Sequence, residues 1–378
     1  MTFNTAHRLA LEKLLSPASF GSRQLRNRLL MAPMTRSQSP GHVPNERNVE
    51  YYRRRAAGGV GLIITEGTTV GHAAASGYPD VPAFHGEAAL QGWKAVVDAV
   101  HAEGAAIIPQ LWHVGSIRQP GMQPDGSVPG YAPSAVVHPS LPPETGVRPQ
   151  EMSEQDIGDV VNAFARSAAA ARELGFDGVE LHGAHGYLID EFFWTATNLR
   201  QDRYGGELAQ RTRFATQLVH AVRESVGPQF PIAFRLSQWK SGDFRYRVAE
   251  GPQQLETWLG PLRDAGVDVF HCSTRRFDDP EFEGSSLNLA GWVKKVLGVP
   301  TVTVGSVGLD SDFVAAFSGQ PAGVLGVERL LERLGRDEFD FIALGRALLA
   351  DPEWPNKLRT GHYADVMPFS PEHLQRYP

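Results

Sequence analysis

The sequence predicts a single (β/α)8 barrel, on three observations. Eight short segments rich in apolar and β-branched residues recur along the chain, helical patterns separate most of them, and the glycine fingerprint of the rival open sheet is missing. Parallel strands need crossover connections, and eight of them close a sheet whose interior side chains can fill. The rival is an open doubly wound sheet. No G-x-G-x-x-G falls between the first strand and the first helix, so a Rossmann domain would lack its usual phosphate site.

The eight segments are Leu29 to Thr35, Val60 to Glu66, Ala105 to Trp112, Gly178 to His182, Pro231 to Leu236, Val267 to Ser273, Thr301 to Ser306 and Phe341 to Gly345. Each suits a strand buried on both faces. Between them, Ser153 and Asp156 make a capping-box signature before Ile157, Val160, Val161, Phe164 and Ala168 at helical spacing, and Gly175 ends that helix after Leu174. A second helix is predicted from Glu207 to Val226, with Phe214, Leu218, Val219 and Val222 on one face and Gly227 closing it. An N-terminal cap precedes the first strand. The stretch 113–150, punctuated by Gly and Pro, is too long for an ordinary βα loop and is assigned as a lid or pocket-wall insertion. A second long excursion, Arg275 to Leu289, follows strand six. The whole chain, 1–378, reads as one domain.

Composition narrows the function classes. Apolar residues at 42% and charged residues at 21% supply a large core without general disorder. A net charge of −6 gives no pull toward nucleic acid or an anionic membrane. No apolar stretch approaches the ~18 residues of a membrane span and the N-terminus lacks a signal-like apolar run, so the chain reads as cytoplasmic. Cys272 is the only cysteine, which excludes an internal disulfide and a cysteine-ligated iron–sulfur cluster. Redox chemistry would therefore need an organic cofactor.

Reactive groups in barrels sit at the C-terminal ends of strands. Those ends carry Met34, Thr35 and Arg36; Thr65, Glu66 and Gly67; Gln110, Trp112 and His113; His182, His185 and Tyr187; Arg235; Gly305 and Ser306; and Gly345 and Arg346. The last two strand ends form the habitual phosphate site of barrels, where small residues and an arginine cradle an anion. His182-x-x-His185 falls short of a zinc site, which wants three or four protein ligands, and no further ligand stands at suggestive spacing. The pair reads either as packed histidines or as two donors aimed at one substrate oxygen. Tyr187, with an ordinary pKa of about 10, is protonated at neutral pH and suits a proton donor; a packed, hydrogen-bonded tyrosine is the plainer alternative. Asn198, Arg200, Asp202 and Tyr204-Gly205-Gly206 read as a capped turn. These residues alone leave open a flavin-free barrel that only binds a phosphorylated ligand, and an isomerase using the two histidines as acid and base.

Taken together and in order, the motifs resemble the Old Yellow Enzyme family along nearly the whole chain. They run from Leu25-Arg26-Asn27-Arg28 through Met31-Ala32-Pro33-Met34-Thr35-Arg36, Ile64-Thr65-Glu66-Gly67, Gln110-Leu111-Trp112-His113 and Glu180-Leu181-His182-Gly183-Ala184-His185-Gly186-Tyr187-Leu188. Asn198 to Gly206, Phe234-Arg235-Leu236-Ser237, Val304-Gly305-Ser306, Leu344-Gly345-Arg346 and the C-terminal Tyr377-Pro378 complete the series. Thr35 and Trp112 resemble the yeast-type branch.

The resemblance implies noncovalent FMN, with Ala32, Pro33, Met34 and Thr35 against the isoalloxazine, Thr35 at its C4 carbonyl and Gly67 contributing backbone. It implies Gln110 at the pyrimidine side, Arg235 beside N1 and the C2 carbonyl, and Gly305, Ser306, Gly345 and Arg346 around the phosphate. A cation at the Arg235 position stabilises the anionic reduced flavin. His182 and His185 would hold a substrate carbonyl or nitro oxygen, Trp112 would wall the substrate, hydride would pass from flavin N5 to the β-carbon, and Tyr187 would protonate the α-carbon. The implied enzyme is an NADPH dehydrogenase or ene-reductase with NADPH or NADH as reductant. It would act on enones, nitroalkenes or similar electrophiles by a ping-pong mechanism, without metal, as a monomer or homodimer. Phe193-Trp194 and Gln238-Trp239 depart from the family's commonest pattern and are expected to reshape the pocket rim. Related amine dehydrogenases and dienoyl-CoA reductases resemble longer chains with a cysteine-ligated cluster.

Overall fold

Strands that are apolar on both faces need cover on both, and the predicted segments obtain it by closing on themselves inside a ring of helices. The computed structural model describes residues 3–144 and 146–377. Thr145, within the 113–150 excursion, and Pro378, the last residue of the C-terminal pair, lie outside the described residues, as do Met1 and Thr2. The barrel strands are β1 (Leu29–Met31), β2 (Leu62–Thr69), β3 (Ala106–Trp112), β4 (Val179–His185), β5 (Ile232–Lys240), β6 (Val269–Ser273), β7 (Thr301–Val304) and β8 (Phe341–Leu344). All pair in parallel in chain order, and β8 returns to β1 to close the ring.

The strand ends differ from the predicted segments where the mouth is built. β1 stops at Met31, ahead of Pro33, which has no N–H to extend a ladder. β2, β4 and β5 run further, to Thr69, His185 and Lys240. The β2–β3 and β4–β5 ladders shift register between Ile64 and Gly67 and between Gly183 and His185. Such irregularities re-aim side chains near functional sites.

The helix Glu154–Leu174 carries the predicted capping box on Ser153 and Asp156, and Gly175 closes it at φ 87°. The helix predicted from Glu207 to Val226 is instead two, Leu208–Arg211 and Arg213–Val226, interrupted at Thr212. The Thr212 hydroxyl donates to the Leu208 carbonyl at 2.9 Å, a side-chain bond back to the preceding turn that bends helices. Phe214, Leu218, Val219 and Val222 are buried as the spacing predicts.

An antiparallel hairpin, Ala18–Phe20 with Arg23–Leu25, plugs the N-terminal end of the barrel. Phe20 and Leu25 join Leu30, Ile64, Ile108 and Val302 in one apolar cluster, and the Phe20 ring meets Phe341 edge-on at 5.4 Å. In the 113–150 excursion, the buried Arg118 guanidinium donates to the carbonyls of Ser76, Met122, Gln123, Asp125 and Val128, so one side chain organises the loop. Tyr131–Ala132 pairs in parallel with Gln150–Glu151. Among the described residues no helix is long and apolar enough to cross a membrane.

Candidate active site

The strands' C-terminal ends surround a cavity of about 650 Å³. Ala32, Pro33, Met34, Thr35, Gln110, Trp112, His182, His185, Tyr187, Arg235, Gly305, Ser306, Gly345 and Arg346 all line it. Of the predicted site residues only Gly67 does not. A Cβ there would fall 2.5 Å from Trp112 Cε3, so this glycine is required by the packing of the indole that does reach the wall. Glu66 also stands off the wall: its Oε2 accepts from the backbone N–H groups of Arg36 and Ser37 at 2.8 and 3.2 Å and so holds the turn that presents Thr35. Burial pushes the Glu66 carboxyl up to about 7, against the pull of those N–H donors.

At one end of the cavity, Arg346 Nη2 donates to Ser306 Oγ at 3.2 Å and to the Ser311 carbonyl at 2.5 Å, while its Nη1 is buried without a partner. Gly305 has φ 135°, and a Cβ there would lie 2.6 Å from the Thr274 carbonyl oxygen, so only glycine fits. An unpaired guanidinium N–H above a backbone that no side chain can crowd suits a phosphate. On the opposite side Arg235 is buried with its Nε unpartnered, and Gln110 Nε2 donates to Glu180 Oε1 at 2.7 Å.

The histidine wall is tightly arranged. His182 and His185 meet edge-to-face with ring centroids 5.1 Å apart, and His182 and Tyr187 at 5.0 Å. Burial first, then the Arg235 charge, pushes both imidazoles well below their usual range, so both are neutral at pH 7 and each carries a single N–H. His182 Nδ1 has no partner, whereas His185 Nε2 bonds Ser273 Oγ at 2.8 Å. His185 adopts φ 67°, a left-handed conformation, held by its N–H donating to Ser237 Oγ at 2.9 Å and by stacking on Trp239 at 4.5 Å. The buried pair Lys240–Asp190, at 2.5 Å, fixes the following turn because Asp190 Oδ2 accepts the Gly186 N–H. Tyr187 packs edge-on to Trp112 at 4.8 Å, and its hydroxyl lies 3.3 Å from that of Tyr78. Burial holds the Tyr187 phenol well above its usual range, hence protonated.

Several predicted polar groups serve the scaffold. His113 is buried against His72, with 3.1 Å between their ring nitrogens, and accepts the Gly115 N–H; it does not line the cavity. Asn198 Nδ2 donates to the carbonyls of Phe192 and Tyr204, each at 2.8 Å, which makes the predicted capped turn. Of the two unusual dipeptides, only Trp239 reaches the cavity. Phe193 and Trp194 are buried elsewhere, against Trp258 and His138, so the expectation that they reshape the rim is corrected. Among the described residues no group of three or more His, Cys, Asp or Glu could hold a metal.

Among the described residues of 113–150 none lines this cavity; the rim comes from Tyr78, Phe244, Arg275, Phe313 and Leu374. Sequence reasoning misses these because they lie in connections without a strand-end signal. Ser273, by contrast, is the last residue of a predicted strand and is open to the rule that finds the others.

Comparisons with known proteins identify the family. The family model for the NADH:flavin oxidoreductase / NADH oxidase family matches residues 13–365. The chain is 41% identical over 347 residues to a putative 12-oxophytodienoate reductase 4 of Oryza sativa subsp. japonica, covering 91% of this chain and 85% of that one. It is 34% identical over 363 residues to an NADH oxidase of Thermoanaerobacter brockii, covering 93% of this chain but 52% of that protein, so it spans about half the length of this relative. A solved morphinone reductase structure superposes with a TM-score of 0.79 at 30% identity, covering 97% of this chain and 96% of that one. The chain belongs to the NADH:flavin oxidoreductase / NADH oxidase family, the Old Yellow Enzyme family of flavin oxidoreductases.

Proposed function

We propose that the chain reduces the activated C=C bond of α,β-unsaturated carbonyl or nitro compounds with NADPH or NADH, through noncovalently bound FMN and in ping-pong order. One observation carries the reading: His182, His185 and Tyr187 share one wall of a cavity at whose ends Arg235 and Arg346 each keep an unpartnered N–H. The residues present fit the cofactor. Arg346, Ser306, Gly305 and Gly345 would take its phosphate, Ala32 to Thr35 its ring, and Gln110 and Arg235 its pyrimidine edge. Gly67 is proposed to act only through Trp112. FMN supplies the hydride transfer that no side chain provides.

The chain's own residues do the rest. Neutral His182 and His185 donate N–H bonds to the substrate oxygen, where negative charge develops, and preplaced donors of this kind contribute about 3 kcal/mol each. For His185 this requires Nδ1–H, because Ser273 occupies Nε2. Tyr187, kept protonated by burial, gives its hydroxyl proton to the α-carbon. Trp112, stacked on Tyr78 at 5.4 Å and on His182 at 6.0 Å, walls the slot and excludes water. Purified protein should be yellow, acid precipitation should release all the colour, and anaerobic NADPH should drive reduction of cyclohexenone. Replacing both histidines with Ala should abolish binding of phenolic ligands while leaving FMN bound. Colourless protein that takes up no FMN would overturn the reading.

A further inference from the structure

We propose that Glu180 is a positioning residue that orients the Gln110 amide and, by its charge, lowers the reduction potential of the cofactor. The proposal rests on FMN filling the cavity described above. β4 carries Glu180 two residues before His182, on the same face of the strand. The Glu180 side chain is fully buried and is not itself on the cavity wall. Its Oε1 accepts from Gln110 Nε2 and its Oε2 from His271 Nδ1, both at 2.7 Å.

A carboxylate only accepts hydrogen bonds, so Gln110 cannot turn its amide round without setting two acceptors face to face. The amide nitrogen is therefore committed to Glu180, and the Gln110 carbonyl oxygen is the atom left for a ligand. On the same cavity wall, two strands along and in register with His182, Arg235 offers donors only. An acceptor next to donors is the complement of a ring edge bearing N–H next to a carbonyl. Glu180, out of contact with the ligand, decides which way round that pattern reads.

The same carboxylate balances charge. Burial and the Arg235 charge keep His271 below its usual range, so it is neutral, with Nδ1–H on Glu180 and a buried, unpartnered Nε2. The buried group is then Arg235 positive, Glu180 negative and His271 neutral. Arg235 favours the reduced, negatively charged cofactor, and Glu180 opposes it. Glu180 and His271 are fully buried and Arg235 nearly so, and neither charge is strongly screened.

The test separates orientation from charge by measuring FMN dissociation constants and midpoint potentials. Glu180→Gln removes the charge but keeps an acceptor for Gln110; the reduced-to-oxidised ratio at fixed potential should rise about tenfold, or about 30 mV for a two-electron couple, with affinity nearly unchanged. Glu180→Asp keeps the charge but shortens the reach; FMN should bind about tenfold more weakly at a near-native potential. Gln110→Leu, which spares Glu180, should lose affinity similarly. An unmoved or lowered potential in Glu180→Gln overturns the charge role, and unchanged affinity in both Glu180→Asp and Gln110→Leu overturns the orientation role. A merely structural role would lower melting temperature and affinity together in all three and leave the potential in place. If Glu180→Gln does not fold, the midpoint potential of Glu180→Ala tests the charge, while the other two variants still decide the orientation. Wild-type protein that takes up no FMN overturns the functional reading itself, an outcome distinct from FMN-loaded variants that behave as wild type.

Discussion

At the N-terminal end of the barrel, Phe20 and Leu25 pack into an apolar cluster with the strands' inner side chains. At the C-terminal end the same strands finish in His185 and Ser306 at positive φ, and in buried, unpartnered atoms on Trp112, His182, Arg235 and Arg346. One end is closed by apolar packing; the other holds conformations and polar atoms that cost about 1–3 kcal/mol each unless something outside the chain satisfies them. The cost is tolerable because the sealed end and the helical shell hold the strands in place. A ligand completing the mouth's hydrogen bonds recovers part of that cost as binding.

The largest loss of stability is expected at the sealed end. Phe20→Ala should cost about 3–5 kcal/mol in urea unfolding, the usual toll for emptying a buried aromatic site, while activity per folded molecule stays near wild type. Activity lost without stability would mean that the two ends are not separable.

At the open end the signature should be the reverse. Tyr187→Phe should change stability little and leave flavin reduction by NADPH near normal, yet slow cyclohexenone reduction about 10²-fold or more through loss of the general acid. A nitroalkene should suffer less, because its nitronate is stable enough to leave and be protonated by water. Stopped-flow measurement of both half-reactions checks this. Flavin reduction failing while enone reduction by prereduced enzyme is unaffected would remove Tyr187 as proton donor.

The smallest effect sharpens the contrast through pH. Glu191 is buried in the helix Leu188–Phe193 that follows β4, accepting from the Ser116 N–H at 2.9 Å and from the Ser116 hydroxyl, and burial pushes its carboxyl up to about 8. A carboxyl raised on folding keeps its proton in the native state between its unfolded value of about 4.5 and 8, so stability falls as pH rises through that window. The buried histidines lie below their unfolded values and contribute nothing above about pH 6.5, while Glu66 and Glu281 reach only about 7. Between pH 7 and 8 the Glu191 contribution to wild-type stability should therefore fall by about 1 kcal/mol, and Glu191→Gln should flatten that slope in denaturant titrations. A slope unchanged in the variant would assign it to another group.

Elements with a local signal are legible from the residues alone. The capping box at Ser153, the closing glycine at Gly175 and the eight apolar segments are written over a few residues each, and the fold keeps all of them. The helix break at Thr212 is not legible, because Thr212 itself keeps helical backbone angles (φ −76°, ψ −16°) and Phe214, Leu218, Val219 and Val222 hold one helical periodicity directly after it. The strand-end rule finds the cavity-lining residues at six of the eight ends; at β6 no residue is named, although Ser273 lines the cavity. At β2 it names Gly67, which instead makes room for Trp112.

The barrel, its strand order, the polar ring at the mouth and the family are all written along the chain, because periodicity and ordered motifs depend on neighbours in sequence. Which partners complete those residues is set by folding alone. Gln110 and Glu180 are 70 residues apart, Glu180 and His271 are 91 apart, and His185 and Ser273 are 88 apart, yet these bonds set amide orientation, charge balance and histidine tautomer. The rim followed the same rule: Tyr78, Phe244, Phe313 and Leu374 come from connections whose paths are set by packing against the finished barrel. Strand pattern is a local property of the chain, whereas hydrogen-bond partnership across a closed barrel exists only after closure brings distant strands into register.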